Sequence, residues 1–258
     1  MNRLEGKRVV VTGASAGIGK ACARAFAERS AHLAISARRV ERVEALAAEL
    51  REAHGVEVRA DALDVTDRAA VQTYVAGLEE DGFAVDVLVN NAGKARGKGK
   101  LHEGDIDDWE EMIDTNVKGL LYMSRAVLPH MVERDAGHVI NIGSIAGRWV
   151  YPGGNVYNAT KYAVYALNEG MNIDLLGTKV RVSSVDPGLT ETEFSEVRFH
   201  GDTEAADAVY SDTTPLTGDD IADAVCYVAN TPPHVDVINL VLMPTAQRHA
   251  MLVDRNGE

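Results

Sequence analysis

Cysteine is nearly missing from this chain: Cys22 and Cys226 are the two present. They lie far apart in helix-like stretches, so the sequence encodes no disulfide framework and no C-x-x-C pair, and both read as small buried apolar residues. Eight histidines are scattered without H-x-x-x-H spacing, which leaves no metal site to expect. Positive charge is also short, with 26 Lys and Arg against 39 Asp and Glu and a net charge of −13. A phosphate-binding face for nucleic acid would need a basic excess, so that class of partner is excluded. No run approaches the roughly 18 apolar residues that span a bilayer. The opening MNRLEGKRVVVTG passes from polar directly to strand-like and lacks the apolar core of a signal peptide. The expectation is a cytoplasmic, reduced protein with a small-molecule partner.

What is present is a regular alternation. Short apolar runs fall at RVVVTG (8–13), HLAISA (32–37), 56–64, VDVLVN (85–90), HVINIGS (138–144), VRVSSV (180–185) and VDVINLVLM (235–243). Periodic helical segments separate them, the longest spanning about 106–134 and 155–177. Runs that are apolar throughout fit a sheet buried on both faces. Strand–helix alternation implies parallel strands joined by right-handed crossovers. The fold class expected is α/β: one Rossmann-type doubly wound domain over 1–258, with a seven-stranded parallel sheet and helices on both faces. No linker, low-complexity tract or repeat divides it. One long irregular span, about 187–216, is expected to carry a functional flap at about 189–214.

Two local patterns carry chemistry. TGASAGIG, residues 12–19, follows the first strand and opens a helix. Glycines at Gly13, Gly17 and Gly19 permit a tight turn and close approach of a pyrophosphate to free helix N–H groups. YNATK, residues 157–161, places Tyr157 and Lys161 four apart on one helix face. A phenol normally keeps its proton up to about pH 10, and a neighbouring ammonium favours the phenolate. That spacing is also what an ordinary surface pair gives, so it leaves both readings open.

Taken together the motifs resemble the classical short-chain dehydrogenases/reductases over nearly the whole chain. The glycine spacing G-x-x-x-G-x-G, NNAG at 90–93, Asn116 in DTNVKG, Ser144 in NIGS, Tyr157 with Lys161, and PGLTET at 187–192 occur in that family's order. The resemblance implies a catalytic tetrad of Asn116, Ser144, Tyr157 and Lys161. Tyr157 would be the general acid/base and Lys161 would depress its pKa and reach the nicotinamide ribose. Ser144 would polarise the substrate oxygen, and Asn116 would hold a water chain behind Lys161. For the cofactor it implies Gly13, Ser15, Gly17, Ile18 and Gly19 at the pyrophosphate, and Asp64 at the adenine. Asn90, Ala92 and Gly93 would lie along the nucleotide, with Tyr157, Lys161, Pro187, Gly188, Thr190 and Thr192 toward the nicotinamide.

The second strand selects the cofactor. Ala37 stands where an NAD enzyme carries an acid, and Arg38 and Arg39 follow. A guanidinium holds a 2′-phosphate by charge-assisted hydrogen bonds, so NADP is expected, chiefly through Arg38. Within the family, residues 112–134, GGNVYNATK and EFSEVRFHGD are most similar to bacterial NADP-dependent 3-hydroxy acid (serine) dehydrogenases and to sulfoacetaldehyde reductases. That implies a small anionic substrate. Its candidate contacts are Ser144, Gly153, Gly154, Tyr157 and the flap residue Arg198, with Arg148 and Arg248 as weaker cations. A 3-ketoacyl or general carbonyl reductase and a non-catalytic dinucleotide sensor are the alternatives; the intact tetrad argues against the sensor. The family resemblance also implies a homotetramer.

Overall fold

The protein is described by a computed structural model covering residues 1–255. Strands β1 (Arg8–Thr12), β2 (His32–Ala37), β3 (Val58–Ala62), β4 (Val87–Asn90), β5 (Gly137–Ile142), β6 (Val180–Pro187) and β7 (Asn239–Leu242) form one sheet in the order β3-β2-β1-β4-β5-β6-β7. Every neighbouring pair runs parallel, for example Val9 against Leu33 and Val87. The expected seven-stranded doubly wound sheet is therefore what forms.

Side-chain alternation in β1 shows why helices cover both faces. Val9 and Val11 enter one apolar cluster, beneath α1 (Gly17–Glu28), α2 (Val40–His54) and α9 (Gly218–Ala229). Val10 enters the other, beneath α3 (Arg68–Glu80) and α5 (Leu120–Glu133). All three are fully buried, and burying each side chain contributes roughly 1.5–3 kcal/mol. β3 departs from the apolar expectation with Arg59 and Asp61, which pair with each other at 2.8 Å. As an edge strand it is only partly covered.

The long helical stretch expected at 106–134 is not one helix. It divides into α4 (Ile106–Ile113), a π turn at Asp114–Gly119, and α5. α6 (Asn155–Asp174) ends three residues before the expected 177. The irregular span carries two short helices, α7 (Phe194–Arg198) and α8 (Thr203–Asp207). A hairpin of β8 (Gln247–His249) and β9 (Leu252–Val253), absent from the sequence reading, then folds back over the sheet's carboxyl edge.

α9 packs along α1, whose N-terminus opens on the site, so the start of α9 bears on site geometry. A full capping box secures it: Thr217 Oγ1 accepts from the Asp220 amide while Asp220 Oδ2 accepts from the Thr217 amide. Thr217→Ala is expected to cost about 1 kcal/mol. In thermal unfolding that corresponds to a Tm lower by roughly 2–4 °C.

Candidate active site

One cavity of about 900 Å³ runs along the carboxyl ends of the strands, from the glycine loop to the flap. Gly13 and Gly17 hold φ of 67° and 52°, in the left-handed region that favours glycine. A Cβ on Gly13 would also stand 2.9 Å from Ala92 Cα, so the loops after β1 and β4 touch only because no side chain intervenes. α1 then starts with no side-chain cap and no acidic residue in its first turn. Its free amides and positive end meet the cavity at Ser15, Ala16, Gly17 and Ile18, an arrangement suited to a pyrophosphate. Gly19 lies behind, where a Cβ would stand 2.5 Å from the Gly13 carbonyl oxygen. Glycine there lets α1 pack closely against the turn that precedes it.

At the far end Arg38 is exposed and lines the cavity beside Asp64. Burial pushes the Asp64 carboxyl up. Hydrogen bonds from the Thr66 amide and hydroxyl, with the Arg38 charge, outweigh this and hold it below the usual carboxylate range. Arg39 does more than open α2. Its Nε and Nη2 donate to Ser15 Oγ at 3.3 and 3.1 Å, and its Nη1 donates to Glu193 at 3.1 Å.

The expectation for Asn90 is corrected. Asn90 is the last residue of β4 and its side chain points into the buried layer. There its Nδ2 donates to Ser124 Oγ and Asn141 Oδ1, both at 3.0 Å. Asn91 takes the cavity position instead, with Ala92 and Gly93. It donates to the Thr12 and Gly13 carbonyls at 2.8 and 3.2 Å. NNAG is legible as a motif, but strand parity decides which asparagine faces the cavity, and the last strand residue is the buried one.

The tetrad converges. Asn116 sits in the π turn, fully hydrogen-bonded: Oδ1 accepts from the Lys94 amide, and Nδ2 donates to the Lys94 carbonyl and Thr160 Oγ1. A Cβ on Gly93 would stand 3.2 Å from Asn116 Oδ1 and 3.8 Å from Lys161 Nζ, so glycine keeps the space between them open. Lys161 Nζ donates to the Ile142 carbonyl at 2.9 Å. Burial lowers its pKa to about 8, against the opposing pull of Asp186. Ser144 caps the turn after β5, its Oγ accepting from the Ala146 amide.

Several groups act on the Tyr157 phenol. Burial pushes its phenol well above the usual value, helped by Tyr151; hydrogen bonding with Ser144 and the Arg198 charge pull it back down. The helix sets Lys161 below the ring, with Nζ 6.0 Å from its centroid. The Arg198 charge is a cation that lowers the phenol. Arg198 comes from α7 of the flap, with its guanidinium carbon 5.9 Å from the Tyr157 ring centroid. Tyr151 Oη and the Gly97 carbonyl hold that guanidinium at 3.0 and 3.2 Å. Phe194 adds an edge-to-face contact with Tyr157 at 5.6 Å, so the flap lies against the phenol.

The remaining candidates separate cleanly. Pro187, Gly188, Thr190 and Thr192 line the cavity as expected, and Thr192 packs against the glycine loop at Gly17. Arg148 is committed to Asp186 at 2.7 Å and to Asn239, and Arg248 is exposed outside the cavity lining. Gly153 and Gly154 do not open the main cavity. Their missing side chains make room for Lys98 and Tyr151, beside a separate pocket of about 40 Å³. Gln247 was not foreseen: its Oε1 accepts from the Leu189 amide at 2.8 Å, pinning the start of the flap from a hairpin about 60 residues distant. No local signal in the sequence marks it.

A doubly wound sheet with an uncapped helix at the first crossover and a buried Tyr/Lys pair under a flap defines a dinucleotide-dependent oxidoreductase. The chain belongs to the short chain dehydrogenase family, whose model matches residues 7–202. It is 50% identical over 245 residues to the NADP-dependent 3-hydroxy acid dehydrogenase YdfG of Salmonella typhimurium, covering 95% of this chain and 97% of that one. It is 46% identical over 250 residues to sulfoacetaldehyde reductase 2 of Chromohalobacter salexigens, covering 96% and 98%. Among solved structures, the closed form of a serine dehydrogenase complexed with NADP+ superposes with a TM-score of 0.90 at 46% identity, over 95% of this chain and 98% of that one. An alcohol dehydrogenase from Thermococcus sibiricus complexed with 5-hydroxy-NADP gives 0.83 at 33% identity, over 95% and 99%.

Proposed function

We propose that this chain is an NADP-dependent oxidoreductase acting on a small hydroxy acid, or on the corresponding aldehyde or ketone, of the 3-hydroxy acid, serine-like or sulfonated class. The single observation that carries the substrate class is Arg198, a flap cation on the cavity wall beside the Tyr157 phenol. The residues present fit the cofactor. The α1 N-terminus and Ser15 would take the pyrophosphate, Arg38 and Arg39 the 2′-phosphate, Asp64 the adenine, and Lys161 the nicotinamide ribose. One domain thus serves both cofactor and substrate, and two free, buried cysteines suit a cytoplasmic setting.

The nicotinamide, when bound, supplies or takes up the hydride; the chain's own residues position the substrate and move one proton. Arg198 meets the substrate carboxylate or sulfonate and orients the reacting carbon. Ser144 and Tyr157 face its oxygen. In reduction Tyr157 Oη donates its proton to the forming alkoxide; in oxidation the phenolate accepts it from the hydroxyl. Lys161 and Asn116 hold the polar space behind the phenol through which that proton is exchanged. Phe194 and the flap exclude water from the reacting atoms. A panel of 3-hydroxy acids, sulfoacetaldehyde and neutral aldehydes, assayed with NADP(H) and NAD(H), tests the whole reading. A general carbonyl reductase would show no preference for the charged substrates.

Arg38→Ala is expected to raise the KM for NADP by roughly 10–150-fold, the scale of a lost charge-assisted bond of about 1.5–3 kcal/mol. The KM for NAD should move far less, and equal changes for both cofactors would refute the assignment.

Arg198→Met is expected to lower kcat/KM for an anionic substrate by roughly 10²-fold, about 2.7 kcal/mol, and to spare an uncharged substrate of equal length. The same substitution removes a charge that lowers the Tyr157 pKa. Oxidation needs the phenolate, so its pH–rate profile should shift to higher pH, while reduction, which needs the protonated phenol, keeps its profile near neutrality. If both substrates suffer alike and the profile stays put, Arg198 only supports the flap.

The assembly proposed is a homotetramer. Leu120 and Met123 are buried within the chain, but Ile106, Leu121 and Val132 on α4 and α5, and Tyr162 and Ile173 on α6, face outward at 40–73% exposure. Helices apolar beyond one stripe pack against a partner as well as a sheet. Light scattering at micromolar concentration should return four times the chain mass; a monomeric mass would rule this out.

A further inference from the structure

We infer that Glu193 is a specificity-determining residue: a carboxylate of the flap that competes with the cofactor's 2′-phosphate for the arginines after β2. The inference rests on the NADP reading above and goes beyond it, because it assigns a role to a residue that touches neither the phenol nor the substrate cation.

Glu193 stands immediately before α7, the helix that carries Arg198. Its carboxylate reaches across the mouth of the cavity to two guanidinium groups. Arg39 Nη1 donates to it at 3.1 Å, and Arg42 Nη1 donates to its two oxygens at 2.8 and 3.1 Å. Arg39 in turn grips the glycine loop through Ser15 Oγ. Glu193 and Arg39 both line the cavity at the end where Arg38 and Asp64 stand. Every nitrogen of the Arg39 guanidinium therefore has a partner, and the one on Nη1 is an anion.

A 2′-phosphate is a dianion with three acceptor oxygens, whereas the carboxylate is a monoanion with two. The phosphate therefore takes the Arg39 edge that Glu193 holds, and Arg42 keeps the displaced carboxylate nearby. A 2′-hydroxyl carries no charge and cannot displace it. The ion pairs are roughly half exposed, so each contributes modestly, and the exchange is set by which anion the arginine prefers. Two consequences follow. Binding of the phosphorylated cofactor loosens the flap anchor at 193, next to the helix that presents Arg198; binding of NAD leaves it tied. Arg42, although it does not line the cavity, favours NADP by drawing Glu193 away from Arg39.

The test is a double-mutant cycle read as dissociation constants of the intact protein for NADP, NAD and 2′,5′-ADP, by calorimetry at low salt. Glu193→Gln, which keeps shape and removes charge, is expected to tighten NADP and 2′,5′-ADP by roughly 3–10-fold and to leave NAD within 2-fold. Arg42→Gln is expected to weaken NADP by a similar factor in the wild-type background and to have no effect once Glu193 is Gln. Both effects should shrink in 0.5 M salt. Weaker NADP binding in Glu193→Gln would overturn the inference, since the carboxylate would then be holding Arg39 in place for the phosphate. Equal changes for NADP and NAD would overturn it too, as would an Arg42→Gln effect that survives in the double variant, which would make Arg42 a phosphate ligand. The NADP reading fails separately: in that case Arg38→Ala would affect NADP and NAD alike, whatever Glu193→Gln does.

Discussion

The site depends on one buried hydroxyl. Thr12, at the end of β1, accepts from the amides of both Asn91 and Ala92 at 3.1 and 3.0 Å and donates to the Val89 carbonyl. Asn91 returns the contact to the Thr12 and Gly13 carbonyls. This tie falls between β1 and β4, where the strand order reverses and successive crossovers leave in opposite directions. A crevice must open there in any doubly wound sheet. Through it the glycine turn and the loop leading to Lys94 are hydrogen-bonded to each other. Lys94 carries the arrangement onward, because its main chain is what Asn116 grips.

Around that frame the electrostatics run against the character of the whole molecule. The chain carries a net charge of −13, yet Arg38, Arg39, Lys94, Arg96, Lys98, Lys161 and Arg198 all face the cavity. Several are partly neutralised by acids outside it, as Glu111 does for Lys94 and Arg96 at 3.0 Å. The result is a concave basic surface set in an acidic one, which favours anions inside. Desolvation then sharpens each contact. Burial lowers Lys161 and raises Tyr157, so their proton affinities move apart: the ammonium gives up its proton more readily and the phenol holds its own more tightly.

The sequence made the sheet legible because the inner strands are mainly apolar and alternate with helical segments, and it made the glycine loop and the Tyr157/Lys161 pair legible because their spacing is local. What it could not make legible were choices settled in three dimensions. Asn90 and Asn91 are adjacent and identical in type, and only the pleat sends one inward. Arg148 stood beside Arg198 as a weaker candidate cation, and only the fold shows that Asp186 claims it. Gly153 and Gly154 suggested room, and the room was taken by Lys98 and Tyr151. Gln247 and Glu193 act on residues far along the chain, so no window of sequence contains both partners.

The π turn at Asp114–Gly119 has a further meaning for how this chain can vary. A π turn holds one residue more than the α-helical turn it replaces, and α4 and α5 keep their separate faces only because that residue is absorbed there. Each residue of an α-helix advances the side chains by about 100°. Losing a single codon anywhere in 114–119 would straighten the helix and turn all of α5 by that angle. Met123, Val127 and Met131 would leave the sheet and Asn116 would leave Lys94. Substitutions along this segment alter one contact at a time, but its length is fixed: the segment behaves as a reading frame in space.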